Sequence, residues 1–173
     1  MNDLHAEQLS IRLLEDTDIP LVKAWLYKDH VRKWYGDPCE WLEEIYDRKG
    51  RYDWIKHCII EFKADPIGFC QYYDCSKTGN GYSWDNEPQG TFGIDYCIGE
   101  ERYLGQGLAC YIIKLIGQQV LRNEIAIQLI ADPVLENSNS IRALEKNGYV
   151  FCAATGLYKL AMHQLSRSLD RLA

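Results

Sequence analysis

The residues with the clearest chemical potential lie between positions 95 and 107. Asp95 stands midway along TFGIDYCIG (91–99), an apolar run in which a carboxylate is costly unless it has a partner or a task. That run leads into Arg102-Tyr103-Leu104-Gly105-Gln106-Gly107, an R-x-x-G-x-G placed ahead of a long apolar segment. Glycines at a helix start let the backbone approach a ligand closely. Successive N–H groups, backed by the helix dipole, then form a cradle for an anion. A glycine turn needed only for packing would read the same way in isolation. Two familiar phosphate binders are excluded by spacing. A dinucleotide fingerprint needs a third glycine where Cys110 stands, and a P-loop needs Gly-Lys-Ser/Thr after four spacer residues.

The elements that must position these residues follow from periodicity. LSIRLLE (9–15) reads as a strand, followed by a helix over 18–30, capped by Asp16 or Asp18 with Pro20 in its first turn. A second short helix spans 38–50. HCIIEF (57–62) and IGFCQYY (67–73) form a hairpin around KADP. Residues 76–90 make a polar, glycine-rich excursion, long enough to be functional. Then come the strand 91–99, a buried helix 107–121, a strand 126–133 and a helix 137–149 capped by Asn137 or Ser138. YVFCAA and LYKLAMH read as closing strands. This order predicts an α+β (mixed α/β) domain with a central sheet, and a single domain spanning 1–173.

Composition narrows the classes. A chain of 173 residues suffices for one core but not two ordinary ones. A net charge of -6 argues against nucleic acid and leaves room for a cationic partner. No apolar run is long enough for a membrane span, and no basic-then-apolar leader is visible at the N-terminus, so a cytoplasmic protein is expected. Seven scattered cysteines without a C-x-x-C pair, and four dispersed histidines, give no metal site and no disulfide framework.

Some thirty residues beyond the glycine loop lie Asn137, Ile141, Glu145, Lys146, Gly148 and Tyr149, an N-x-x-x-I-x-x-x-E-K-x-G-[FY] pattern. With the R-x-x-G-x-G after a strand, this pair of motifs resembles the GCN5-related N-acetyltransferase (GNAT) superfamily. The resemblance implies a mostly antiparallel central sheet with helices on both faces and one splayed parallel pair, formed by the strands 91–99 and 126–132. It implies acetyl-CoA as co-substrate, its pyrophosphate held by the loop 102–107, with Asn137 also among the cofactor-binding residues. AWLYKDHVRKWYG (24–36), DPIGFCQYY (65–73), the G-N-G-Y-S-W segment leading to Gly93-Ile94-Asp95, and Ala131-Asp132-Pro133 are similar to the bacterial aminoglycoside 6'-N-acetyltransferases, which are antibiotic-resistance enzymes. Siderophore-type lysine N-acyltransferases share the H-x-x-x-W-[WY] pattern found here at His30, Trp34 and Tyr35.

What the resemblance implies mechanistically is direct transfer: an amine attacks a thioester, an oxyanion forms, and a thiolate leaves. Asp95 matches the family's base or substrate anchor. An ordinary aspartate, with a pKa near 3.9, is too acidic for that work unless burial or a second carboxylate, such as Asp132, raises it. Backbone N–H groups around Cys97 or Ile98 would serve the oxyanion. Many relatives carry a tyrosine, poised to protonate the sulfur, where Leu144 stands here. Three explanations stay open: an unaided thiolate, another tyrosine, or weak activity as a binding relative. For the substrate, a small cationic amine, the sequence offers Trp34 and Tyr35, then Tyr82, Trp84 and Asp85 in the long loop, besides Asp95 and Asp132. The family's acidic, double-tryptophan loop pattern appears here as Asn80, Tyr82 and Ser83. A monomer or a homodimer is compatible with the sequence.

Overall fold

The computed structural model describes residues 8–170. Strand β1 (Leu9–Leu13) leads to three short helices, α1 (Ile19–Leu26), α2 (Asp29–Tyr35) and α3 (Pro38–Tyr46). Strands β2 (Ile55–Phe62), β3 (Asp65–Asp74) and β4 (Thr91–Ile98) follow, then helix α4 (Leu108–Val120) and strand β5 (Gln128–Ala131). Helix α5 (Ser138–Lys146), strands β6 (Val150–Cys152) and β7 (Leu157–Ala161), and helix α6 (Met162–Asp170) complete the order. The seven strands form one sheet in the order β1-β2-β3-β4-β5-β7-β6. Every pairing is antiparallel except β4 with β5.

Each face of the sheet has its own core. On one, α4 inserts Ile112, Ile113 and Ile116 against Phe62, Cys70, Phe92 and Leu129. On the other, Val22, Trp25, Leu26 and Ile45 of α1 and α3 cover Ile59, Phe69 and Cys97. A fully buried side chain of this size contributes about 1.5–3 kcal/mol through removal from water. β4 lies between these two cores, and its alternating side chains therefore reach both.

Several local expectations need correction. The helix expected over 18–30 breaks after Leu26: Lys28 is extended (φ -69°, ψ 138°), and α2 begins at Asp29. Asp18 does not cap α1 through its side chain; it accepts from both terminal nitrogens of Arg12, at 2.6 and 2.8 Å, and from the Glu15 N–H. A charge-assisted, two-pronged bond outcompetes a neutral cap. The strand expected at 126–133 narrows to β5, and LYKLAMH is a strand only as far as Ala161. There the Met162 N–H bonds to the Ile127 carbonyl, the ladder ends, and Leu165 one helical turn later packs into the α4 core. Asn137 caps α5 as expected, accepting from the Ser140 N–H. Among the described residues no helix is long and apolar enough to cross a membrane.

Candidate active site

Two clefts meet on β4, and the geometry of the parallel pair creates the first. β4 and β5 pair at only three positions, Thr91 with Gln128, Phe92 with Leu129 and Gly93 with Ile130. β5 ends at Ala131 while β4 runs on to Ile98, paired only with β3 on its other side. The unpaired edge opens a cleft of about 440 Å³ between β4, α4 and α5. The carbonyl of Ile98 on this edge is 2.9 Å from the His30 Nε2.

The glycine loop closes one end of this cleft. Gly105 and Gly107 have φ of +73° and +76°, in the left-handed region, and a Cβ added at either would meet no protein atom. Glycine is therefore required by backbone angle, and the space at the start of α4 stays open. Of the residues expected to hold a cofactor, Cys97, Ile98, Tyr103, Leu104, Gly105, Gly107 and Asn137 line the cleft, with Leu108, Ala109 and Ala143 as apolar wall. Arg102 and Gln106 do not. The Gln106 amide donates to the Arg102 carbonyl at 2.7 Å, bracing the loop, and the Arg102 guanidinium lies 3.6 Å from Asp65 and over the Tyr103 ring. Trp34 and Tyr35, expected on the substrate side, line this first cleft instead. α2 carries them there, and the break at Lys28 sets its direction.

The second cleft, about 400 Å³, opens on the opposite side of Asp95. Tyr82, Trp84, Asp95 and Asp132 are brought together in it. Tyr82 and Trp84 stack with ring centres 4.7 Å apart and planes within 10°, and the Trp84 N–H donates to Thr78. The Ser83 hydroxyl donates to Asp132 at 3.4 Å, tying the loop to the end of β5. Asp85 does not line the cleft: its carboxylate accepts from the Gly81 and Tyr82 N–H groups and shapes the loop. Glu87 is likewise taken, by Lys159 and Gln128.

Further side chains of this cleft were not singled out from sequence, among them Trp41 and Glu44 on α3, Arg51, Tyr52 and Trp54 before β2, and Gln71 and Tyr73 on β3. Gln71 sits directly opposite Asp95 in the β3–β4 ladder and donates to its carboxylate at 3.1 Å. Tyr73 sits opposite Gly93, and its ring lies where a Cβ on residue 93 would be, 2.4 Å from that position. A lone glutamine in the otherwise apolar IGFCQYY was the available signal, as was the i, i+3 spacing of Trp41 and Glu44.

The electrostatics follow from this packing. Burial pushes the Asp95 carboxyl up to about 7; the Gln71 hydrogen bond opposes this, and the Glu44 and Asp132 charges add to it. Burial also raises Glu44 and Asp132, while hydrogen bonds from Gln71 and Ser83, respectively, pull the other way. A carboxylate titrating near neutrality is suited to accept a proton there. The neighbouring Tyr35 and Trp41 join the two clefts: their rings are 4.7 Å apart and the Trp41 N–H donates to the Tyr35 carbonyl.

Comparison with known proteins agrees with this geometry. Residues 15–156 match the family model described as "Acetyltransferase (GNAT) domain". Aminoglycoside N(6')-acetyltransferase type 1 of Klebsiella pneumoniae is 24% identical over 151 residues, covering 83% of this chain and 74% of the relative. Among solved structures, aminoglycoside acetyltransferase AAC(6')-Ib in complex with coenzyme A superposes with a TM-score of 0.81 at 22% identity, covering 93% of this chain and 99% of that one. The aminoglycoside N(6')acetyltransferase of Legionella pneumophila superposes with a TM-score of 0.71 at 17% identity, covering 93% and 96%. With its splayed β4–β5 pair, its glycine loop ahead of α4 and a family match over most of its length, the chain belongs to the GNAT acetyltransferases and is an acyltransferase.

Proposed function

We propose that the chain transfers an acetyl group from acetyl-CoA to a primary amine of a small polycation, with the 6'-amino group of an aminoglycoside as acceptor, and so confers resistance. The observation that carries this reading is the meeting of the two clefts on β4, with Asp95 at the junction and its carboxyl held near neutrality by burial.

The first cleft fits the donor. Positive-φ glycines leave the helix start open to a pyrophosphate, and the unpaired β4 edge offers backbone groups to an amide-bearing arm. Asn137 closes the far side, and the alanine and leucine wall suits an alkyl chain. When bound, the thioester supplies an activated acyl group. Asp95 would accept a proton from the incoming ammonium, directly or through water. Of the Cys97 and Ile98 backbone groups it is the Ile98 N–H, on the unpaired edge of β4, that can donate to an oxyanion, the Cys97 backbone being turned toward Phe69 of β3.

Acidic and aromatic groups of the second cleft suit the acceptor. Glu44, Asp95 and Asp132 converge on one space, where several carboxylates together orient a polycation better than isolated surface charges. The stacked Tyr82–Trp84 pair presents a flat face to a sugar ring. This support extends to small cationic amines in general, which include the hydroxylysine-like substrates.

The test is a free-thiol assay with acetyl-CoA across a panel of aminoglycosides and small diamines. Thiol release with kanamycin-like amines is expected. Release only with hydroxylysine-like amines would move the acceptor to that class, and calorimetric binding without release would mark a binding relative.

A further inference from the structure

Leu144 occupies the position where the family resemblance implies an acid, and it is 1% exposed, packed into the α4 core. A side chain on a helix leans toward the turn that precedes it. A tyrosine at 144 would therefore extend over Ser140, one turn earlier on α5. That place is already filled from the sheet. The Tyr96 hydroxyl, on β4 next to Asp95, lies 2.9 Å from the Ser140 hydroxyl, and both residues line the first cleft. Of the other tyrosines near this wall, Tyr149 is buried in the core with no hydrogen-bond partner for its hydroxyl among the described residues. Tyr103 belongs to the glycine loop, and Tyr35 to the opposite wall.

We propose that the Tyr96–Ser140 pair replaces the missing helix tyrosine: Ser140 donates to Tyr96, and the Tyr96 O–H donates to the sulfur as CoA leaves. The inference rests on the reading of the first cleft as the acetyl-CoA site. Burial raises the Tyr96 phenol to about 12, against the Ser140 hydrogen bond, which lowers it. The group therefore stays protonated at working pH and holds its proton more tightly than the departing thiolate would, so it is a poor proton source for the sulfur. Its role is a charge-assisted hydrogen bond to the departing sulfur.

The step balances as follows. An ammonium gives one proton to Asp95 and thence to water, and the free amine forms the N–C bond. As the C–S bond breaks, its electron pair passes to sulfur, and the nitrogen sheds its second proton to water. The sulfur leaves as a thiolate held by Tyr96 and takes up a proton from solvent on release.

The decisive measurement needs no acceptor: the ultraviolet thiolate absorbance of CoA bound to the protein, titrated against pH. In the unaltered protein the bound thiol should ionise at lower pH than free CoA, and Tyr96→Phe should raise its pKa by about one to two units. kcat should fall about 10- to 100-fold while KM for acetyl-CoA stays put. Ser140→Ala, which keeps every ring in place, should move the same pKa in the same direction by less. Leu144→Tyr added to Tyr96→Phe should restore both readouts. CoA binding with thiol ionisation unchanged in both single variants would overturn this inference alone. Absence of CoA binding by the unaltered protein would overturn it together with the assignment of the cleft.

Discussion

The two clefts are walled by the same strand but built from different materials. The first is made chiefly of backbone: an unpaired strand edge, two positive-φ glycines, a helix start and an apolar wall. The second is made of side chains: carboxylates of Glu44, Asp95 and Asp132, and rings of Trp41, Trp54, Tyr73, Tyr82 and Trp84. On the proposed reading, backbone geometry would bind what every donor of this type shares, a pyrophosphate and an amide-bearing arm, and side chains from scattered segments would set which acceptor fits. Donor and acceptor recognition should then be separately alterable, with Asp95 as the place where they touch.

The sharpest way to break this division is Asp95→Asn. Turnover should drop about 10²–10⁴-fold while calorimetric affinity for acetyl-CoA is unchanged. An unchanged rate would remove Asp95 from the chemistry, and a lost affinity would show that the clefts are not separable. Next in size is Gly107→Ala. Forcing a Cβ into the left-handed region costs about 1–2 kcal/mol. The ligand-free loop should relax away from that angle, so acetyl-CoA, which needs the loop back in place, should bind roughly tenfold more weakly. Binding of the polycation to the second cleft, measured by calorimetry, should not respond.

The pH dependence gives a third check. A base with a folded-state pKa of about 7 must be ionised to act, so kcat/KM should rise through that pH, and the limb should vanish in Asp95→Asn. Stability carries the opposite sign. A carboxyl raised above its ordinary value keeps its full contribution below the unfolded pKa and loses it as pH rises through about 7. Asp95→Asn should therefore gain more in Tm relative to the unaltered protein at pH 8.5 than at pH 5, because the loss builds up between the unfolded pKa and about 7. The smallest expected effect is Glu44→Gln, which removes one half-buried charge from the acceptor cleft. KM for a cationic amine should rise up to about fivefold, with KM for acetyl-CoA unmoved.

The contrast also explains which residues were legible. The glycine loop and the Asn137 cap are short contiguous patterns whose spacing is dictated by local geometry, and they sit where the sequence places them. Asp95 stood out because a carboxylate in an apolar strand is costly. Trp34 and Tyr35 were assigned to the acceptor side because they are aromatic and could offer a flat surface to a cationic amine. Their actual wall depended on a helix break at Lys28 that periodicity does not announce. Asp85 read as a free charge, but it is spent on two backbone N–H groups of its own loop. Gln71 does stand out as the one amide in an apolar strand, but its partner Asp95 and the approach of Glu44 are set by strand register and by the packing of α3, which no local pattern announces.

The sequence by itself determined most of the order of elements, the glycine turn ahead of α4 and the cost of Asp95, since each depends on residues close along the chain. Tertiary structure alone decided the rest. The β3–β4 register puts Gln71 opposite Asp95, and the packing of α3 brings Glu44 to the same carboxylate. The early end of β5 opens the sheet, and the fold of the long loop stacks Tyr82 on Trp84. The reason is physical: a pKa near neutrality and a cleft of matched charge come from burial and from groups distant in sequence, which only packing brings together.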